Sequence, residues 1–202
     1  MNKCYIVGAG DFYGEIAPDP SDFVIAADGG YNEIIQHGAR CDLLIGDFDS
    51  IDAVPSGVEV LRFPVEKDDT DTFLAYREGV RRGYTDFVLL GGTGGRLDHT
   101  YANLSLLLFA KKNGHSIILE GKEERAFVIK DEKVSFIHPR GRHVSIFAVG
   151  GVAKSVTVKG LKYTLDGYDL TPEFPLTTSN LSLGSEAEVS VKNGALLIML
   201  EK

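Results

Sequence analysis

The sequence predicts an α/β domain, a doubly wound and mostly parallel sheet, followed by an all-β sandwich domain. Three observations predict this order. Apolar runs alternate with helical patterns over roughly the first 120 residues. Those runs are continuous rather than alternating, as expected of parallel strands covered on both faces. After about residue 124 the helical periodicity stops and alternating apolar–polar runs replace it. The boundary therefore divides the chain into 1–124 and 125–202.

Six strands are expected in the first part: "KCYIVGAG", "DFVIAADGG", "DLLIGDFDS", "VEVLRFP", "DFVLLGGTGG" and "HSIILEG". Most end in Gly or Asp. Two helices stand out between them. The first covers Thr70 to Arg82, carries Phe73, Leu74 and Val80 on one side, and closes at Gly83. The second covers Thr100 to Asn113, carries Leu104, Leu107 and Leu108, and closes at Gly114. "GAGDFYG" (8–14) is a weak dinucleotide fingerprint, because its third glycine falls one place late; it predicts a tight strand-to-helix turn. In the second part, "RAFVIKDEKVSFIHP" reads as two strands around a polar turn, and "HVSIFAVGG" and "SVTVKG" as two more. Asn193-Gly194 in "AEVSVKNGALLIMLEK" predicts a hairpin.

Composition excludes several classes of function. The chain has 202 residues, 44% of them hydrophobic and 25% charged, with a formal net charge of -8. An acidic surface lacks the basic stripe of a nucleic-acid binder. No run approaches the ~18 apolar residues of a membrane span. The N-terminal apolar stretch is too short for a signal-peptide core, so a cytoplasmic protein is expected. Cys4 and Cys41 belong to no Cys/His cluster, and both are read as free thiols.

Open parallel sheets bind ligands beyond the carboxyl ends of their strands. Acidic residues and glycines recur there: Asp28 in "ADGG", Asp47 and Asp49 in "GDFDS", Asp68, Asp69 and Asp71 in "DDTD", then "GGTGG" followed by Arg96 and Asp98. Taken singly, each has a plain explanation. Asp28 would be a turn residue, and Asp69, Asp71 and Asp98 would complement helix N-termini. The pair Asp47/Asp49 is harder to explain. If the chain stays extended, both carboxylates share one side and Phe48 takes the other. Such a pair calls for a cation, and Mg²⁺ suits carboxylates that share it with substrate phosphates. "GGTGG" would let backbone N–H groups approach a phosphate, and Arg96 offers a planar fork of donors.

The ordered set "ADGG", "GDFDS", "DDTD" and "GGTGGRLDH", with "GLKYTLDGYDL" and "TTSNLS" downstream, resembles the thiamine pyrophosphokinase family over nearly the whole chain. The resemblance implies transfer of the terminal diphosphate of ATP to the hydroxyl of thiamine, giving AMP and thiamine diphosphate. It implies Mg²⁺ held by Asp47, Asp49 and Asp71, with Asp28 supporting that cluster or meeting substrate. It further implies a nucleotide site shaped by Asp68 and Thr70. Gly92, Gly95, Arg96 and Asp98 would line the phosphate and substrate region. Ser179 and Asn180 would contact thiamine in a homodimer whose thiamine site lies between subunits. Tyr163 stands where the family has an aromatic residue, with a role in packing or in ligand contact. Asp71 or Asp98 would take the hydroxyl proton. A diphosphokinase for another alcohol such as a pterin would share the metal and ATP motifs, whereas the full acidic set argues against a non-catalytic sensor of nucleotide or thiamine.

Overall fold

The architecture comes from a computed structural model that describes residues 2–13, 16–48, 57–64 and 68–202. The chain divides into two compact units: Met1–Leu106 with Gly114–Lys122, and Leu107–Asn113 with Glu123–Lys202.

All six strands expected in the first unit form. They are β1 (Cys4–Val7), β2 (Phe23–Ala27), β3 (Leu43–Gly46), β4 (Glu59–Arg62), β5 (Asp86–Leu90) and β6 (Ser116–Glu120). Every pairing among them is parallel, in the order β4-β3-β2-β1-β5-β6. Burial explains their texture: every residue of β3 is covered, as are all but the first residue of β2. Three helices accompany them: α1 (Gly30–Gln36), α2 (Asp71–Arg81) and α3 (Leu97–Lys112). Val7, Val24, Ala26, Ile34 and Leu44 belong to one buried cluster, which holds α1 on the strands.

Details of the helices differ from expectation. On α2 the fully covered positions are Ala75, Tyr76, Glu78 and Gly79, while Phe73, Leu74 and Val80 are half-buried. Small residues let this face sit close to the sheet; a Cβ on Gly79 would lie 2.5 Å from the Phe87 ring. α3 starts at Leu97, three residues earlier than the sequence pattern placed it. Among the described residues no helix joins β1 to β2; residues 8–11 bend and pair with Thr93 through a bridge at Asp11, without the helix expected after them.

The second unit is built of strands, apart from the last turns of α3 (107–112): β7 (Glu124–Lys130), β8 (Lys133–Ile137), β9 (His143–Lys159), β10 (Leu165–Leu170), β11 (Asn180–Leu181), β12 (Glu186–Ser190) and β13 (Asn193–Glu201). Two expectations fail here. "HVSIFAVGG" and "SVTVKG" are one strand, β9, whose first half pairs with β13 and whose second half pairs with β10 and β12. Its direction changes around Gly150, Gly151 and Ser155, all with positive φ. Asn193-Gly194 makes no hairpin, because β12 pairs with β8 and β9 while β13 pairs with β7 and β9. The Gly194 N–H instead donates to Asp131 Oδ1 at 2.8 Å, and the Asp131 N–H donates to Gly194 O at 3.1 Å. The glycine thus helps the chain change partners instead of folding it back. A single buried cluster, including Val144, Ile146, Val156, Val158, Val189 and Leu196, draws on both halves of β9.

Candidate active site

The strand order fixes where a site can lie. From β1 the chain steps outward to β2, β3 and β4, then returns to place β5 on the other side of β1. At such a reversal the loops leaving two neighbouring strands part in opposite directions and leave a crevice. A cleft of about 390 Å³ opens there. Its walls include Gly10 from the loop after β1, Asp28 after β2, Thr72 on α2, and the loop 91–95 with Arg96 after β5.

The two glycine-bearing loops are packed against each other. Gly8 N–H donates to Leu90 O at 2.8 Å, Gly10 N–H to Gly91 O at 2.9 Å, and Asp11 N–H to Thr93 O at 2.9 Å. There is no room for side chains between them. A Cβ on Gly91 would lie 2.3 Å from Gly8 O, and one on Gly10 would lie 2.5 Å from Thr93 O. Gly91 is therefore required for close approach of backbone to backbone, in addition to any approach of "GGTGG" to a ligand. Among the described residues, the N–H groups of Gly92, Gly94 and Gly95 have no hydrogen-bond partner, which leaves donors suited to an anion at this edge.

Asp28 is the acidic residue that the cleft takes in. It adopts φ 47, its N–H donates to Ile45 O at 2.7 Å, and its carbonyl accepts from Tyr31 N at 3.1 Å. Its Oδ1 is buried and has no hydrogen-bond partner among the described residues. A buried carboxylate oxygen without a partner is costly. Gly46 makes its position possible, since a Cβ there would lie 3.1 Å from Asp28 Cβ.

Of the other expected site residues, Gly92, Gly95 and Arg96 line the same cleft. Asp47 is half-buried just beyond β3, and Asp71 sits in the first turn of α2. Asp49 lies outside the described residues. At Phe48 the expected extended geometry is not adopted. Phe48, 7% exposed, has φ 70, and Arg62 lies over its ring at 5.0 Å. Among the described residues no group of three or more His, Cys, Asp or Glu is arranged to hold a metal. Asp68 is exposed. Asp69 pairs with Arg77 at 3.0 Å. Thr70 is the N-cap of α2, its Oγ1 accepting from Phe73 N at 3.2 Å.

Arg96 and Asp98 form an exposed, two-pronged ion pair, at 2.6 and 3.2 Å. The Arg96 guanidinium holds the Asp98 carboxyl below the usual carboxylate range, and the carboxylate in turn raises Arg96.

Three cleft residues escaped the sequence reading as ligand-facing groups: Thr72, His99 and Asn103. A signal for two of them was present. His99 and Asn103 fall at i and i+4, on one face of α3, and Arg96 lies just before that helix.

In the second unit a cavity of about 370 Å³ is lined by Tyr163, Leu165, Leu176, Thr178 and Asn180, among others. Tyr163 is 60% exposed, with Lys162 5.2 Å from its ring centre. Asn180 is buried, and its amide is used on backbone. Oδ1 accepts from Tyr163 N and Leu181 N, both at 2.9 Å, and Nδ2 donates to Tyr163 O at 2.6 Å. Ser179 has φ 57, and its N–H donates to Ser145 Oγ at 3.0 Å.

Comparison with known proteins agrees with this division. The family model for the thiamin pyrophosphokinase catalytic domain matches residues 17–119. The model for the thiamin pyrophosphokinase vitamin B1 binding domain matches residues 128–196. A thiamine pyrophosphokinase of Bacillus subtilis (strain 168) is 27% identical, over 76% of this chain and 75% of its own. Among solved structures, a thiamine pyrophosphokinase from Bacillus subtilis superposes with a TM-score of 0.91 at 24% identity, covering 100% of this chain and 99% of that one. One from Geobacillus thermodenitrificans gives 0.84 at 25% identity, covering 99% and 97%. With both of its family models matched in order along one chain, the protein belongs to the thiamin pyrophosphokinase family.

Proposed function

We propose that the cleft at the strand reversal holds ATP while its terminal diphosphoryl group passes to the hydroxyl of thiamine. Family membership makes the chain an enzyme, a thiamine diphosphokinase. The observation that carries the assignment of the cleft is its pairing of partnerless glycine N–H groups with Arg96, donors that suit a phosphate chain.

In the reaction the hydroxyl oxygen of thiamine attacks the β-phosphorus in line. The bond from that phosphorus to the α,β-bridging oxygen breaks, and AMP leaves. Its phosphate has a second pKa of about 6, so no strong general acid is needed. Catalysis is then mostly positioning and charge neutralisation. The loop 91–95 and Arg96 bind and orient the phosphates. Of the two carboxylates considered as proton acceptor, Asp98 is a weak base while Arg96 grips it, and gains basicity if Arg96 turns to a phosphate; Asp71 is the other candidate.

Asp47, Asp49 and Asp71 would hold Mg²⁺, with Asp28 beside them and Asp68 and Thr70 shaping the nucleotide site. The donor set fits, since carboxylate oxygens suit this hard cation, and the partnerless Asp28 Oδ1 supplies negative charge next to the phosphate loop. When bound, the cation would neutralise phosphate charge.

The second unit is assigned to thiamine, through the cavity bearing Tyr163 and Asn180, in a homodimer with the thiamine site between subunits. Exposed Tyr163, Phe174 and Leu176 support an apolar surface of this kind. We read the unit as a β-sandwich, supported by the apolar cluster shared by both halves of β9. The domain assignments remain 1–124 for ATP and 125–202 for thiamine.

The test is product analysis. Purified protein with ATP, Mg²⁺ and thiamine is expected to release AMP and thiamine diphosphate in equal amounts. ADP in place of AMP would overturn the proposal.

A further inference from the structure

We infer that Asn103 is a positioning residue for the phosphate loop. It keeps the Gly92 carbonyl turned into the protein so that the loop presents donors to the anion. The inference rests on the reading of this cleft as the ATP site.

The argument starts from the polarity of a bare loop. A glycine-rich turn carries as many carbonyls as N–H groups, and a carbonyl oxygen facing a triphosphate repels it. In this chain four successive carbonyls from the end of β5 onward, Leu90 to Thr93, all accept hydrogen bonds from other parts of the protein. Those of Leu90, Gly91 and Thr93 accept from the backbone N–H groups of Gly8, Gly10 and Asp11. The register of the two loops leaves the Gly92 carbonyl without a backbone donor, and the Asn103 Nδ2 supplies one at 2.8 Å.

Asn103 is suited to that task. It is 7% exposed and sits on α3 between the apolar neighbours Ala102 and Leu104. A polar amide in such a place needs a partner, and its partner is a loop carbonyl rather than a group of its own helix. Arg96, the residue just before α3, lines the same cleft. The residue preceding α3 therefore brings a cation for the anion, and α3 itself brings the group that orients the loop's dipoles, to one cleft. Oriented backbone dipoles fixed before the ligand arrives are the cheapest source of anion stabilisation, because they need not reorganise.

The test separates a donor from a packing residue. Asn103→Asp keeps shape and volume but sets a carboxylate against the Gly92 carbonyl. Asn103→Ala only removes the donor. A packing role predicts that the aspartate variant is the milder of the two. The donor role predicts the reverse. Binding is measured with an ATP analogue carrying a methylene bridge between the α- and β-phosphorus, alongside the KM for ATP and for thiamine. We expect analogue affinity to fall about tenfold for Asn103→Ala, from the loss of one buried hydrogen bond, and further for Asn103→Asp. The thiamine KM is expected to be unchanged. Wild-type analogue affinity in either folded variant overturns the inference, as does an aspartate variant milder than the alanine one. Loss of folded protein in both variants, judged by circular dichroism, also overturns it, because the side chain would then hold the fold rather than the loop. An unmutated protein that makes no AMP from ATP and thiamine is a different failure, that of the cleft assignment itself.

Discussion

Replacing Gly10 by alanine tests whether the two glycine loops must touch. Gly10 has no left-handed φ, so the change carries no backbone strain of its own. Its added Cβ would lie 2.5 Å from Thr93 O and 2.6 Å from Gly91 O, both backbone atoms that cannot rotate away. The loops would have to part by roughly an ångström to reach ordinary contact. That movement stretches the Gly10 N–Gly91 O and Asp11 N–Thr93 O hydrogen bonds, each 2.9 Å long. Overpacking and two weakened hydrogen bonds together cost about 2–4 kcal/mol. The chain has no Trp, so unfolding in urea is followed by far-ultraviolet circular dichroism, with ATP-analogue binding measured in parallel. Gly95→Ala is the control. There a Cβ meets nothing within 4 Å, but φ is 59, so only the left-handed strain of about 1 kcal/mol applies. The reasoning predicts that Gly10→Ala loses both stability and nucleotide affinity. A loss below about 0.5 kcal/mol with unchanged binding would refute it.

Three further predictions bear on other parts of the chain. Asp47→Asn or Asp49→Asn should abolish turnover while the circular dichroism spectrum is retained; wild-type rates in both would remove the metal assignment. Asn180→Ala removes three hydrogen bonds to backbone and should lower stability by about 2–4 kcal/mol, whereas Ser179→Ala should change it little; equal effects in urea denaturation would contradict the structural role of Asn180. His138 is 9% exposed, and burial pushes its imidazole below the ordinary value of 6.5, against the raising effect of the Glu201 carbonyl. The unfolded chain then takes up the proton first, so this contribution is intact above pH 6.5 and is lost as pH falls toward the folded-state pKa. Denaturation midpoints should drop below pH 6.5, and His138→Gln should flatten that part of the profile.

How far the sequence was legible depended on whether the deciding interaction was local. The six parallel strands were readable because burial on both faces imposes continuous apolar runs, as in "LLIG" of β3. The glycine-rich turn after β5 was readable because its backbone contacts, as at Gly91, leave no room for a side chain. Asn193-Gly194 misled because Asn-Gly is a strong local hairpin signal. Here the pairing is decided by β7 and β9, far away in sequence, and by the Asp131 carboxylate. Phe48 misled in the same way. Nothing in "GDFDS" announces a left-handed aromatic residue, which is held by burial and by Arg62 from the next strand. Asn180 was expected to contact ligand, yet its amide hydrogen-bonds to backbone at residues 163 and 181. Asn103 was overlooked because its partner carbonyl lies eleven residues earlier, across a loop.

The central claim is that a diphosphoryl group moves as one piece. The most direct measurement follows radiolabel from ATP marked separately at the α-, β- and γ-phosphorus into the thiamine product. The account predicts that β and γ label both appear in thiamine diphosphate while α label stays in AMP. Transfer of γ label alone, giving thiamine monophosphate and ADP, would contradict it.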